Sequence, residues 1–246
     1  MKKRELLLGL LGLTILWQVA ALLVDNPILP GPAEVAIAFI NELGGGLAVH
    51  FLVSLWRVVA SVMLAVLVAA PLGLVLGQSR RIDRFISPII YVLYPIPKIV
   101  FLPIVLLFLG VGDIPKIFII FLILFFQILV LVRDSARNLD PKMLLSVHSL
   151  GAGRRATFHY VYIPASLPAI LTALRQSVGT AVAVLYIAEL FATQQGLGYY
   201  IYLSGNTLFD YPAMYAGIVA MSLLGLGMYF TVDWLEKRLC PWQFVT

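Results

Sequence analysis

The sequence predicts an all-α integral membrane protein with six transmembrane helices, on three observations. Of 246 residues, 61% are hydrophobic and only 12% charged, against about 25% charged in soluble domains; mean hydropathy is +0.99. Apolar runs recur at lengths near the ~20 residues that a helix needs to cross a bilayer. The basic residues also segregate. With the N-terminus inside, the cytoplasmic segments hold Lys2, Lys3 and Arg4, then Arg80, Arg81 and Arg84, then Arg133, Arg137, Lys142, Arg154 and Arg155, and finally Lys237 and Arg238. The outer segments hold none, and a five- or seven-span count would destroy this bias. The sequence pI of 9.4 therefore reflects topology rather than nucleic-acid binding. The single cysteine, Cys240, excludes an internal disulfide and a cysteine metal cluster.

Taken in order, the expected spans are approximately 6–24, 51–77, 85–111, 114–132, 167–192 and 211–232, in a single transmembrane domain over 1–246. The first, Leu6–Val24, is too long for a signal core and is read as a retained helix rather than a secretory signal cut near Ala20-Ala21. Pro27, Pro30 and Pro32 then stop one helix and start another. Ala33–Leu43 is expected as a short helix at the outer surface, ended by Gly44-Gly45-Gly46. Span three is broken by Pro88, Pro95, Pro97 and Pro103. Gly73 and Gly77 in span two have the small-xxx-small spacing that lets helices approach closely.

The residues from Arg133 to Pro168 form the one long polar segment, and a loop of that length between membrane helices is usually functional. Asp140 followed by Pro141 reads as an N-cap and first helical position. Met143, Leu144, Val147 and Leu150 recur at helical spacing as an apolar ridge, and Gly151 can take the left-handed conformation that ends a helix. Gly153 permits a bend, Arg154–Tyr162 is expected as a second short helix, and Pro164 and Pro168 are expected to separate it from span five. A bent, partly apolar helix pair suits a docking surface.

Charges inside the spans are costly and usually face a bundle interior or water. Arg57 and Glu189 both fall near the outer leaflet, where an ion pair between them or snorkelling is expected. Lys98 lies near mid-membrane, either facing a translocation pathway with a preference for anions or satisfied by carbonyls freed by Pro95 and Pro97; Tyr94 is a further pathway candidate, with packing as the alternative. Lys116 is expected at the interface, and Arg175 bracing the polar loop or snorkelling inward.

No catalytic or nucleotide site is legible. Gly151-Ala152-Gly153-Arg154-Arg155 lacks the Gly-Lys-Ser/Thr of a phosphate loop, and His50, His148 and His159 have no metal-ligand spacing. Asp134 and Asp140 make a weak carboxylate pair. Two other function classes stand beside a docking-driven transporter. One is an ion-coupled secondary transporter with Glu189 as its proton site, which usually shows an internal repeat. The other is a membrane enzyme using His148, His159 and Asp134.

Leu150-Gly151-Ala152, followed after a spacer by Ile163-Pro164-Ala165-Ser166-Leu167-Pro168-Ala169-Ile170 and Leu174-Arg175, resembles the cytoplasmic signature loop of the permease subunits of bacterial ABC importers. Further stretches resemble the branch serving nitrate, sulfonates, taurine and related compounds: Leu29-Pro30-Gly31-Pro32, Ser54-Leu55-Trp56-Arg57, Pro95-Ile96-Pro97-Lys98, Leu109-Gly110-Val111-Gly112, Ala188-Glu189-Leu190 and Gly196-Leu197-Gly198-Tyr199. The resemblance implies the type I importer permease fold, a paired permease or homodimer, two cytoplasmic ATPase subunits that hold ATP and Mg, and a periplasmic or lipid-anchored solute-binding protein. It implies a small, anionic solute, with a vitamin precursor as the alternative, and a location in the bacterial inner membrane with both termini cytoplasmic. The ATPase-coupling surface is then expected at Asp140, Met143, Leu144, Leu145, Ser146, Val147, His148, Leu150, Gly151, Ala152 and Pro164. One departure stands out. The family's Glu-Ala-Ala-x-x-x-Gly aligns its triplet with Leu145-Ser146-Val147, so the acidic residue is absent.

Overall fold

The computed structural model describes residues 3–243; within them the side chains of Lys3, Leu6, Leu7, Pro141, His148 and Arg154 lie outside the description. Every regular element among the described residues is helical. The chain divides into two compact units, Met1–Leu55 with Glu189–Leu224, and Trp56–Ala188 with Gly225–Thr246.

The first unit contains α1 (Lys3–Val24), α2 (Pro32–Glu42), the start of α3 (Ala48–Gln78), α10 (Leu197–Tyr202) and the first part of α11 (Tyr211–Leu239). Pro32 opens α2, where its missing N–H costs nothing. Trp17 of α1 stacks on Tyr215 and donates its indole N–H to the Pro30 carbonyl, 3.1 Å away. The glycine run ends the helix as expected: after a wide turn over Leu43–Leu47 the chain kinks at Gly46, at φ 124°, and α3 begins as a separate helix. That backbone conformation is open to glycine and strained for other residues.

The second unit holds the rest of α3, α4 (Arg80–Leu93), α5 (Leu102–Leu109), α6 (Asp113–Arg137), α7 (Pro141–Ser149), α8 (Arg154–Thr157), α9 (Ile163–Ala188) and the end of α11. Its core is apolar: Ile119, Ile120, Leu124 and Ile128 of α6 and Ala181, Leu185 and Ala188 of α9 have no exposed surface. The glycine spacing in α3 works as expected. A Cβ added at Gly73 would lie 2.9 Å from Val132 Cβ, and one at Gly77 would lie 2.5 Å from Ala136 Cβ and 2.7 Å from the Arg133 carbonyl.

Long apolar helices cover Pro32–Gln78, Asp113–Arg137, Arg155–Ala188 and Tyr211–Leu239; α1 contributes an apolar stretch at Leu8–Val24. The proline-rich third span is a pair, Arg80–Leu93 and Lys98–Leu109, bent by 76°.

Pro164 and Pro168 do not separate a short helix from span five. The backbone runs from α8 through a π-helical turn at Phe158–Tyr162 directly into α9, with Pro168 inside the helix. The wider turn, in which the Ile163 N–H reaches back to Phe158 O, carries the chain past Pro164 in the first turn of α9, where a missing N–H is tolerated. At the other end α9 stops at Ala188, so Glu189 lies just beyond the helix rather than within it.

Candidate functional site

The α6–α9 connection is built as its residues dictate. Asp140 accepts the Lys142 N–H on Oδ1 at 2.8 Å, and its carbonyl accepts from Met143 N at 3.0 Å. That is an N-cap with proline behind it. At the other end Gly151 has φ 81°, and the Ala152 N–H reaches back to Val147 O at 3.3 Å, the six-to-one bond of a Schellman termination. The expected single ridge is split. Met143, Ser146 and Val147 line a cavity of about 510 Å³ with Tyr160, Val161, Pro164 and Trp242, while Leu145 and Leu150 stand 71% and 87% exposed. Leu145, two residues from both Met143 and Val147, falls on another face of a helix of 3.6 residues per turn, and Leu150 lies past the end of α7 at Ser149. Leu144 is half-buried and Ala152 intermediate; the side chain of His148 lies outside the described residues.

At the bend between α4 and α5, Pro95 and Pro97 leave carbonyls without helical partners, and Lys98 collects them. Its Nζ donates to Leu93 O at 2.9 Å, Tyr94 O at 2.7 Å and Ile96 O at 3.2 Å. It also sits 4.5 Å from the centre of the Phe126 ring, a cation–π distance. The three acceptors match the three N–H donors of an ammonium. Of the two expectations for Lys98, satisfaction by freed carbonyls is what the geometry shows; the residue also lines a cavity of about 650 Å³ walled by the bend, by α6 and by α9. Tyr94 lines the same cavity.

Near the start of α6 the guanidinium of Arg57 is buried and binds Asp113 Oδ1 through Nε at 2.8 Å and Nη2 at 2.7 Å. In the other unit, Glu189 is fully buried, and both its oxygens accept from Ser54 Oγ at 2.8 Å. The Gly198 N–H donates to it at 2.9 Å, the Leu197 N–H to Ser54 Oγ at 2.7 Å, and the Gly196 N–H to His50 Nδ1 at 3.0 Å. Glu189 thus holds the start of α10, and Gly196, at φ 115°, has no room for a side chain beside it. Ser54, Glu189 and Gly196–Gly198, far apart in sequence, are brought together.

Lys116 has no exposed surface, and its Nζ donates to Gly112 O at 2.9 Å. One cationic expectation is corrected. Arg175 braces α11 rather than the polar loop, pairing with Glu236 Oε2 at 2.7 Å and Asp233 Oδ1 at 3.5 Å.

Sequence reasoning missed Asp113, which stands one residue before the span boundary it drew, and Asp83. The latter stands between Arg81 and Arg84 but is buried, bound by Arg133 through Nε and through Nη2 at 3.0 Å, with Arg137 at 3.4 Å and Ser87 completing the cluster. A lone acid among Arg80, Arg81 and Arg84 was the available signal.

A helical membrane subunit with no nucleotide site legible in its sequence and a capped, partly apolar connecting loop defines a permease class. The chain belongs to the family described as binding-protein-dependent transport system inner membrane component, whose model matches residues 62–240. It is 30% identical over 238 residues, 94% of this chain and 86% of the relative, to the taurine transport system permease protein TauC of Escherichia coli. It is 28% identical to the formylaminopyrimidine transport permease protein ThiX of Halalkalibacterium halodurans, across 95% of this chain and 93% of the relative. Among solved structures it resembles an inward-facing MetNI methionine ABC transporter chain, with a TM-score of 0.71 at 18% identity, covering 80% of this chain and 97% of that one. The fold is that of a type I ABC importer permease. The protein is an integral inner-membrane permease subunit of an ABC importer and not itself the catalytic component, which removes the secondary-transporter and membrane-enzyme classes.

Proposed function

We propose that the chain forms half of a paired translocation pathway for a small organic anion of the sulfonate type. An external solute-binding protein delivers the solute, and two cytoplasmic ATPase subunits drive the permease, holding ATP and Mg themselves. Both termini and the α6–α9 connection lie in the cytoplasm. ATP-driven closure of the ATPases moves α7, and the long helices rock between inward- and outward-facing states.

The observation that carries this reading is the capped α7 with Leu145 and Leu150 turned outward. Exposed large apolar side chains on a rigid, basic loop mark an interaction surface. The leucine in place of the family's acidic residue makes that contact apolar rather than charged. The anionic preference is supported by Lys98, a cation lining the membrane cavity, and by the relative named for taurine. The relative named for formylaminopyrimidine favours a vitamin precursor as the second reading.

Co-purification with its partner ATPase, followed by uptake in vesicles, tests both parts. The complex is expected to survive mild detergent, and Leu145→Arg with Leu150→Arg to dissociate it. Uptake of ethanesulfonate or taurine is expected to require ATP and to persist with an ionophore. Formylaminopyrimidine uptake without uptake of either sulfonate would replace the anion reading with the second one.

A further inference from the structure

The cavity at the α4–α5 bend carries more than Lys98. Two polar side chains on its walls, Gln127 of α6 and Thr180 of α9, make no hydrogen bond to another described residue. Several helical hydroxyls elsewhere fold back on the carbonyl four residues earlier, as Ser61 does on Arg57, Ser177 on Ala173, Ser222 on Ile218 and Thr231 on Gly227; that of Thr180 does not. Polar groups in a membrane-spanning region are expensive unless they serve a partner or a pathway. Next to Thr180, Gly179 sits inside a helix, where glycine costs about 1 kcal/mol relative to alanine, although a Cβ there would meet nothing within 4 Å. Packing does not require that glycine, which stands on the cavity wall with open space beside it.

The charge pattern is equally pointed. All three N–H groups of Lys98 are committed to carbonyls, and among the described residues no carboxylate pairs with it. Lys98 therefore supplies a positive field to the cavity but has no donor left to hold a ligand directly. Directional bonds must come from elsewhere on the wall.

We infer that this cavity is a solute-binding site for a small organic oxyanion, attracted by the field of Lys98 and hydrogen-bonded by the Gln127 carboxamide and the Thr180 hydroxyl. Tyr94 and Phe126 supply the apolar wall against which the rest of the solute lies. At about 650 Å³ the cavity falls within the common range for small-molecule sites, about 300–1,000 Å³. Gln127 and Thr180 are thereby specificity-determining residues that face the solute, and the assignment rests on the anionic reading above.

The test uses the permease assembled with its ATPase and its own binding protein in vesicles, with ethanesulfonate as an anion and taurine as a zwitterion of similar size. Gln127→Leu with Thr180→Val is expected to lower uptake of both by about tenfold or more, as follows when a site built to hydrogen-bond its ligand loses those groups. Gln127→Asp is expected to shift the ratio of the two rates toward taurine, whose ammonium the new carboxylate can accept. A general loss of fold or assembly would lower both rates without moving that ratio. Anion uptake with unchanged rate and unchanged ratio in both variants overturns the site and leaves the proposed function standing. Failure of the wild-type assembly to move either solute overturns the anionic reading and the site with it.

Discussion

Lys98 shows how one side chain can hold a broken helix together and still line a cavity. Its ammonium serves carbonyls that two prolines released, and it does so on the wall of a cavity. Lys98→Met is expected to leave those carbonyls orphaned, at about 1–3 kcal/mol for each buried unsatisfied group, and so to lower the melting temperature of the purified protein in detergent as well as anion uptake. An unchanged melting temperature would show that the carbonyls find other partners. The neighbouring prolines made the carbonyl cage of Lys98 legible in the sequence. That Arg57 binds Asp113 and Glu189 binds Ser54 was not legible, because these contacts are named by the fold rather than by spacing. Cys240 gives a second residue-scale expectation. It is fully buried, and burial followed by the charge of Glu236 raises its thiol above the usual cysteine range. Reactivity requires the thiolate, so maleimide labelling at neutral pH is expected only after denaturation; rapid labelling of the folded protein would contradict the burial.

At the scale of elements, α3, α4 and α6 are tied together where α6 leaves for the connecting loop. Gly73 and Gly77 bring α3 against the backbone of α6, and Asp83 of α4 binds Arg133 of α6 one turn before α6 ends. The glycine pair was readable because small-xxx-small spacing is local. The ion pair was not, because its members are 50 residues apart and each carries a sufficient local explanation as a loop charge. Asp83→Asn removes the charge opposite a buried guanidinium, and breaking one side of a buried pair costs about 3–5 kcal/mol. The melting temperature is therefore expected to fall, and Asp83→Asn combined with Arg133→Met to recover most of the loss, since no charge is then stranded. If the double variant is no more stable than the single one, the cluster does not act as an ion pair.

For the whole molecule the question is how a small loop can command long helices. The fold offers a continuous route: α6 leads into the Asp140-capped α7, Gly151 reverses the chain, and α8 runs without interruption into α9. The sequence disclosed the cap, the helix and the glycine, each a local signal. It did not disclose the continuity of α8 with α9, because prolines usually break helices and only the π-helical turn before Pro164 lets this one continue. That continuity places the reversal between two helical arms in the short turn that holds Gly151. Its φ of 81° is unfavourable for residues with a side chain, yet a Cβ there would touch nothing within 4 Å. Gly151→Val is thus strained by backbone conformation alone, at roughly 1–3 kcal/mol, enough to tilt α7 away from its present setting. Gly151→Asn, which tolerates the left-handed region, is strained far less. In vesicles with the partner ATPase, Gly151→Val is expected to keep hydrolysing ATP while solute uptake falls by at least about tenfold, the equivalent of roughly 1.4 kcal/mol. Gly151→Asn is expected to retain most of both. Coupled uptake at the wild-type rate in Gly151→Val would show that the angle between α7 and α8 does not transmit the stroke.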